Sequence, residues 1–154
     1  MLTEEIKREI EAECGWFKSK RSACIEAMQI VRRYHGWISD EAIRDLAVLL
    51  EMTTEELDGV ATFYNHLFRK PVGRHVILVC DSVTCWIMGY EQLMDHLKTS
   101  LGVEFGQTTA DGRFTVLPIQ CLGACDQAPA VMIDDELYGD LDPVKLDQIL
   151  AKYA

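Results

Sequence analysis

The stretch "RHVILVCDSVTCW", residues 74–86, decides the reading of the chain. Its first half is a short apolar run rich in β-branched residues, the composition of a buried strand. Cys80 closes that run, and the turn-prone "DSVT" separates it from Cys85. The same grammar returns downstream. "FTVLPIQ", residues 114–120, reads as a second strand, and "CLGACDQAP", residues 121–129, again sets two cysteines, Cys121 and Cys125, in a short turn-prone stretch. Pro118 has no N–H for a ladder, so that point belongs at a sheet edge or a bulge.

Between the strands, Tyr90, Leu93, Met94 and Leu97 share one face of a helix expected from about Trp86 to Lys98, and Gly102 ends its pattern. Beyond them, "AVMID" and "ELYG" read as a hairpin whose acids Asp134, Asp135 and Glu136 form a solvated turn. Asp142 then caps a last helix with Pro143 at its first position. The order strand, helix, strand, strand, helix over residues 73–154 is the grammar of a thioredoxin-like α/β domain with a small mixed sheet. Each cysteine pair falls just beyond a strand, at one end of that sheet.

Residues 1–72 read instead as a helical bundle. Leu2, Ile6, Ile10 and Cys14 recur every four residues behind Thr3 as N-cap, with Glu4 and Glu5 at the positive end of the helix dipole. A second helix is expected from about Ser22 to Gly36, and a third from Ser39 that buries Ile43, Leu46, Ala47 and Leu50. Thr53 and Glu56 form a capping box for a fourth, running through Leu57, Val60 and Tyr64 toward Leu67, with Gly59 as a weak point. The aromatic run "TFYNHLF", residues 62–68, reads as core. Pro71 and Gly73 end the helical half.

Composition excludes several classes of function. With 154 residues, 49% hydrophobic and 26% charged, the chain can build a core without crosslinks. No apolar run approaches the roughly 20 residues of a membrane helix. The opening "MLTEEIKREIEAEC" is charged and amphipathic, unlike a secretory signal, which points to the cytoplasm. A net charge of −10 argues against nucleic acid and bare anionic membrane as partners. Residues 71 to 154 carry 12 acids and 5 bases, so most of the excess sits in the half that holds the cysteine pairs.

In a reducing compartment four paired thiols point to metal binding or redox chemistry more than to disulfides. Zinc knuckles take C-x2-C, whereas these pairs are C-x4-C and C-x3-C. The wider spacing favours a 2Fe-2S cluster, in which each pair serves one iron and the loop aims N–H groups at the sulfurs; Gly123 allows the close approach this needs. His35, His66, His75 and His96 all lie away from the pairs, so ligation would be all-cysteine. Zinc, a dithiol redox site and four unrelated buried thiols stay open on spacing alone. Cys14 and Cys24, each within a helical pattern, read as core. Trp86, beside Cys85, reads as a shield against water.

"HGWISDEAI", "GVATFYNHLFRKPVGRHVILVCDSVTCW", "QTTADGRFTVLPIQCLGACDQAP" and "LDPVKLDQIL" stand here in one order. In them the chain resembles the thioredoxin-like 2Fe-2S subunits of bacterial respiratory complex I, NADH:quinone oxidoreductase, which have relatives in NAD-linked hydrogenases and formate dehydrogenases. The resemblance covers nearly the whole chain. It implies that Cys80, Cys85, Cys121 and Cys125 ligate a 2Fe-2S cluster. It also implies a flavoprotein partner subunit carrying FMN, the NADH site and a 4Fe-4S cluster, further peripheral-arm subunits, and membrane association only through that complex. The chain has no glycine-rich dinucleotide fingerprint, which fits an electron carrier without its own substrate site. The alternatives are the equivalent subunit of a hydrogenase or formate dehydrogenase, a zinc-stabilised adaptor, or a dithiol oxidoreductase, the last lacking a C-x-x-C.

Overall fold

A computed structural model describes residues 2–153. The chain divides into two compact units, Met1–Pro71 and Val72–Ala154.

The first unit is four helices around one apolar core: α1 Glu4–Cys14, α2 Cys24–His35, α3 Asp40–Leu50 and α4 Thr54–Phe63. Their starts are set by side-chain caps. Thr3 accepts from the Ile6 N–H, Ser39 from the Ala42 N–H, and Thr53 with Glu56 completes a reciprocal capping box. A single 3-10 turn, Lys20–Ala23, leads into α2, which therefore begins two residues later than the expected Ser22. Gly36, at φ +79°, ends it in the left-handed conformation that glycine adopts at least cost. Ile6, Ile10, Met28, Val31, Leu46, Leu50 and Leu57 fill the core, and Cys14 and Cys24 pack against it, where burial pushes both thiols up.

α4 stops at Phe63, short of the expected Leu67. Tyr64 is extended, and Leu67 still reaches the core through a turn in which its N–H donates to the Tyr64 carbonyl. The backbone beyond finds partners that a helix could not use. The Arg32 guanidinium donates to the His66 carbonyl at 2.9 Å, and the Ile38 N–H to the Phe68 carbonyl at 2.8 Å. Arg69 fastens the exit, donating to Asp58, Asp40 and the Ile38 carbonyl. The break leaves Phe63 78% exposed, so the aromatic run is only partly core.

The second unit contains β1 His75–Cys80, α5 Val83–Ile87, α6 Tyr90–Leu101, β2 Phe114–Ile119, β3 Val131–Ile133, β4 Glu136–Tyr138 and α7 Pro143–Leu150. It is α/β with a mixed sheet ordered β2-β1-β3-β4. β1 runs parallel to β2 and antiparallel to β3, and β3 to β4. As the inner strand of the parallel pair, β1 is buried from Val76 to Cys80, which explains its unbroken apolar run. Ile77, Val79, Phe114, Val116, Val131 and Ile133 form a core with Leu93, Met94 and Leu97 of α6 and Leu146, Ile149 and Leu150 of α7.

Pro118 lies on the edge strand, as its chemistry requires. The Val116 N–H points away from β1 and donates to the Gln107 carbonyl at 3.3 Å. Two residues on, the imide nitrogen of Pro118 faces the same way and forfeits no ladder bond.

The single helix expected over 86–98 is two helices. Gly89, at φ +114°, separates α5 from α6, and no side chain could take that conformation cheaply. The acidic turn is also more than solvated. Asp134, at φ +54°, returns its carboxylate to β1, accepting from the Val76 N–H at 3.0 Å and pairing with the His75 ring at 2.7 Å. Among the described residues no helix is long and apolar enough to cross a membrane.

Two glycines of the helical unit predict opposite outcomes. A Cβ on Gly59 would meet nothing within 4 Å, and its backbone is ordinary helix. Gly59→Ala therefore stabilises by about 0.5–1 kcal/mol, whereas Gly36→Ala, forced into the left-handed region, costs about 1 kcal/mol. Urea midpoints of the full chain read both; a fall for Gly59→Ala would show that a methyl at this position displaces something.

Candidate metal centre

Strand chemistry and parallel pairing bring the cysteines together. β1 and β2 run in the same direction with Cys80 opposite Ile119, so the loops leaving both strands start side by side. The ladder continues past the strand ends. The Asp81 N–H donates to the Ile119 carbonyl at 3.0 Å, and the Cys80 N–H to the Ala130 carbonyl at 3.2 Å. Cys80 is thus held between β2 and the approach to β3. The next residues turn into α5, and Cys85 occupies its first turn. On the other loop Cys121 follows β2 by two residues, and Cys125 opens a 3-10 turn, Cys125–Gln127.

The four thiols fall into two environments. Cys80 and Cys85 are buried; Cys121 and Cys125 are exposed. The wall around the inner pair is Ala124, Ala128 and Ala130, with Tyr90, Ile119 and Leu122 behind. Trp86 is not part of it. Its indole is 58% exposed and donates to Glu91 at 3.2 Å, so the expected shield against water is made of alanines.

Electrostatics follows burial. The Cys85 thiol is pushed up to about 11, first by burial and then by its hydrogen bond with Cys80, while the backbone of Ala130 works the other way. Cys121 is held below the usual thiol range, chiefly because the Gly123 N–H donates to its sulfur at 3.3 Å; Cys125, Ser82 and Cys80 add to this, and burial opposes it. Gly123, at φ +75°, supplies the turn that aims that N–H. The interactions of Cys85 with Cys80 and Cys125, and of Cys121 with Cys125 and Cys80, place all four predicted residues in one neighbourhood. Cys14 and Cys24 belong to the helical unit.

Among the described residues no three or more of His, Cys, Asp and Glu gather tightly enough to hold a single metal ion. The fit to a cofactor therefore rests on the donors and their loops. Four soft sulfur donors suit an iron–sulfur core or zinc. The N–H already donated to the Cys121 sulfur, together with the Ala130 backbone that favours the Cys85 thiolate, suits the iron–sulfur core.

α5 carries a feature that sequence patterning missed. Val83, Trp86, Ile87 and Met88 are all exposed while Cys85, among them, is buried. The signal was present in "SVTCWIMG": a five-residue helix ended by glycine cannot bury apolar residues on every side.

The model of the thioredoxin-like [2Fe-2S] ferredoxin family matches residues 10–154. The chain is 46% identical to a subunit of the NADH-quinone oxidoreductase of Pseudomonas aeruginosa over 153 residues, 99% of this chain and 92% of the relative. It is 45% identical to the corresponding subunit of the Escherichia coli K12 oxidoreductase over 152 residues, 99% and 92% of the two chains. Among solved structures it is similar to an NAD+-reducing [NiFe]-hydrogenase in the air-oxidised state, with TM-score 0.73 and 28% identity, over 85% of this chain and 22% of that one.

The division into inner and outer thiols gives a measurable order. In the cluster-free chain under reducing conditions, iodoacetamide labels Cys121 and Cys125 before Cys80 and Cys85, with Cys85 slowest, because access favours the outer pair and thiolate character favours Cys121 over Cys85. Peptide mass spectrometry over a labelling time course checks this. Equal rates at the four positions would contradict the two environments.

Proposed function

The chain belongs to the thioredoxin-like [2Fe-2S] ferredoxin family, and from that premise we propose that it is the electron-carrying subunit of an NADH-oxidising assembly, with Cys80, Cys85, Cys121 and Cys125 as the cluster ligands. The observation that carries the reading is the meeting of the two cysteine loops at one end of the parallel pair. A 2Fe-2S cluster, when bound, takes up and returns one electron at a time.

The chain's own residues supply the rest. Cys80 and Cys85 would hold the buried side and Cys121 and Cys125 the solvent side, which leaves one face open to electron exchange. Ala124, Ala128 and Ala130 keep water from the inner sulfurs. The Gly123 N–H stabilises negative charge on the Cys121 sulfur and so favours the ligating thiolate. Asp81 and Asp126 each follow a ligand and oppose added negative charge, but both are exposed and solvent screens them.

The partner in this reading is a flavoprotein subunit that carries FMN and the NADH site, and the membrane is reached only through the complex. The exposed apolar face of α5, beside a buried ligand, supports docking close to the cluster. A quinone-linked assembly is favoured over a hydrogenase module because identity is 46% to the former relative and 28% to the latter.

Anaerobic purification tests this. The protein carries about two irons and two acid-labile sulfides per chain. Alanine at any of the four ligand positions loses or degrades the cluster, while Cys14→Ala and Cys24→Ala keep it. The chain alone oxidises no NADH with artificial acceptors, and activity appears on adding the flavoprotein subunit. Stoichiometric zinc without sulfide, or iron lost only with Cys24→Ala, would overturn the assignment.

A further inference from the structure

Gly139 stands where no side chain fits. A Cβ built on it would lie 2.4 Å from the Gln127 Cβ and 2.7 Å from the Gln127 carbonyl oxygen. Its backbone does not need glycine, because its φ lies outside the left-handed range. Close approach alone demands the missing side chain.

What it approaches is the turn of the second cysteine loop. Gln127 ends the 3-10 turn that Cys125 opens, and the Gln127 N–H returns to the Ala124 carbonyl at 3.1 Å. The connection between β4 and α7 grips this segment from behind. The Asp140 N–H donates to the Gln127 carbonyl at 2.6 Å, and the Leu141 N–H to the Pro129 carbonyl at 3.2 Å. Asp140 takes φ +51° to make its bond. From the first turn of α7, the Lys145 ammonium donates to the Gly139 carbonyl at 2.6 Å and the Asp140 carbonyl at 3.3 Å, which fixes the grip to a helix packed in the core.

The two cysteine loops are therefore anchored by different means. Cys80 sits on the sheet ladder, whereas Cys125 is exposed and has no strand beneath it. We propose that Gly139 and Lys145 are positioning residues for Cys125, setting where its sulfur stands toward the cluster. This rests on the ligand assignment above. Lys145 holds the connection, the connection holds Gln127 through Gly139 and Asp140, and two residues of tight turn carry that placement to the ligand. Displacement of the turn changes sulfur orientation and N–H donation at the cluster, which are the quantities that set its spectrum and potential.

The test uses the full chain loaded anaerobically with its cluster. Gly139→Ala and Lys145→Met are compared with wild type, with Lys145→Arg as rescue. Gly73→Ala is the control, a close-approach glycine at the opposite end of the sheet whose added Cβ would meet the Arg113 backbone at 3.0 Å. The readouts are EPR of the reduced protein, visible circular dichroism, midpoint potential and the rate of iron loss to a chelator. Gly139→Ala moves the g-values and the potential and speeds iron loss several-fold. Lys145→Met shifts them the same way by less, and Lys145→Arg restores them. Gly73→Ala leaves the spectrum unchanged even where it lowers the thermal midpoint. Wild-type spectra and potentials in both Gly139→Ala and Lys145→Met, or an equal change in Gly73→Ala, overturn the proposal. If Gly139→Ala does not fold, Lys145→Met decides alone, since it keeps the side-chain stem of a surface residue and removes only the two ammonium bonds to the Gly139 and Asp140 carbonyls. A wild-type chain without iron and sulfide, or Cys125→Ala with an unaltered spectrum, would instead sink the ligand assignment, and the positioning role with it for that separate reason.

Discussion

Two parallel strands joined in a register that sets Cys80 opposite Ile119 deliver their C-terminal ends to one place, and everything at the candidate centre follows from that delivery. Antiparallel neighbours would have sent the two cysteine loops to opposite ends of the sheet. A one-residue slip would have turned Cys80 toward the other face and Ile77 and Val79 out of the core. The register is secured on both sides of β1, by six paired positions with β2 and three with β3, and by Asp134 reaching back to the Val76 N–H. A parallel pair needs a long crossover, and the segment containing α5 and α6 supplies it. Cys85 belongs to the opening turns of that crossover. Connection and ligand loop are one piece of chain.

Much of this was legible in the sequence because local chemistry decides it. Thr3, Ser39, Thr53 and Asp142 each cap the helix their position announces, Gly36 and Gly102 end helices in the left-handed conformation, and Pro118 sits on an edge. What escaped depends on contacts between distant residues. The end of α4 is set by Arg32 and Ile38, roughly thirty positions upstream, which take carbonyls that a continuing helix would have kept. The split between α5 and α6 was a misread period: Tyr90, Leu93, Met94 and Leu97 give a clear helical face, but Gly89 stands before it and the apolar residues upstream face water.

The spacing of the cysteine pairs made a four-sulfur site readable, yet spacing says nothing of depth. Burial of Cys80 and Cys85 against exposure of Cys121 and Cys125 comes from the three alanines that close over the inner loop. Small side chains carry no pattern that periodicity detects. Their effect is chemical all the same: burial raises the Cys85 thiol, while at the exposed Cys121 the Gly123 N–H holds the thiol low.

Pro118 has a consequence for how molecules of this chain meet one another. An unpaired strand edge is a template for a foreign strand and hence for aggregation. On β2 the outer edge is taken over its first half by the Gly106–Thr109 segment, through the Gly106, Thr109 and Val116 amides, and blocked beyond it by a residue that cannot donate. On the other side β4 is three residues long and begins with a carboxylate. Neither border offers the long, regular ladder that strand addition requires, so sheet-to-sheet growth between copies of the chain is discouraged.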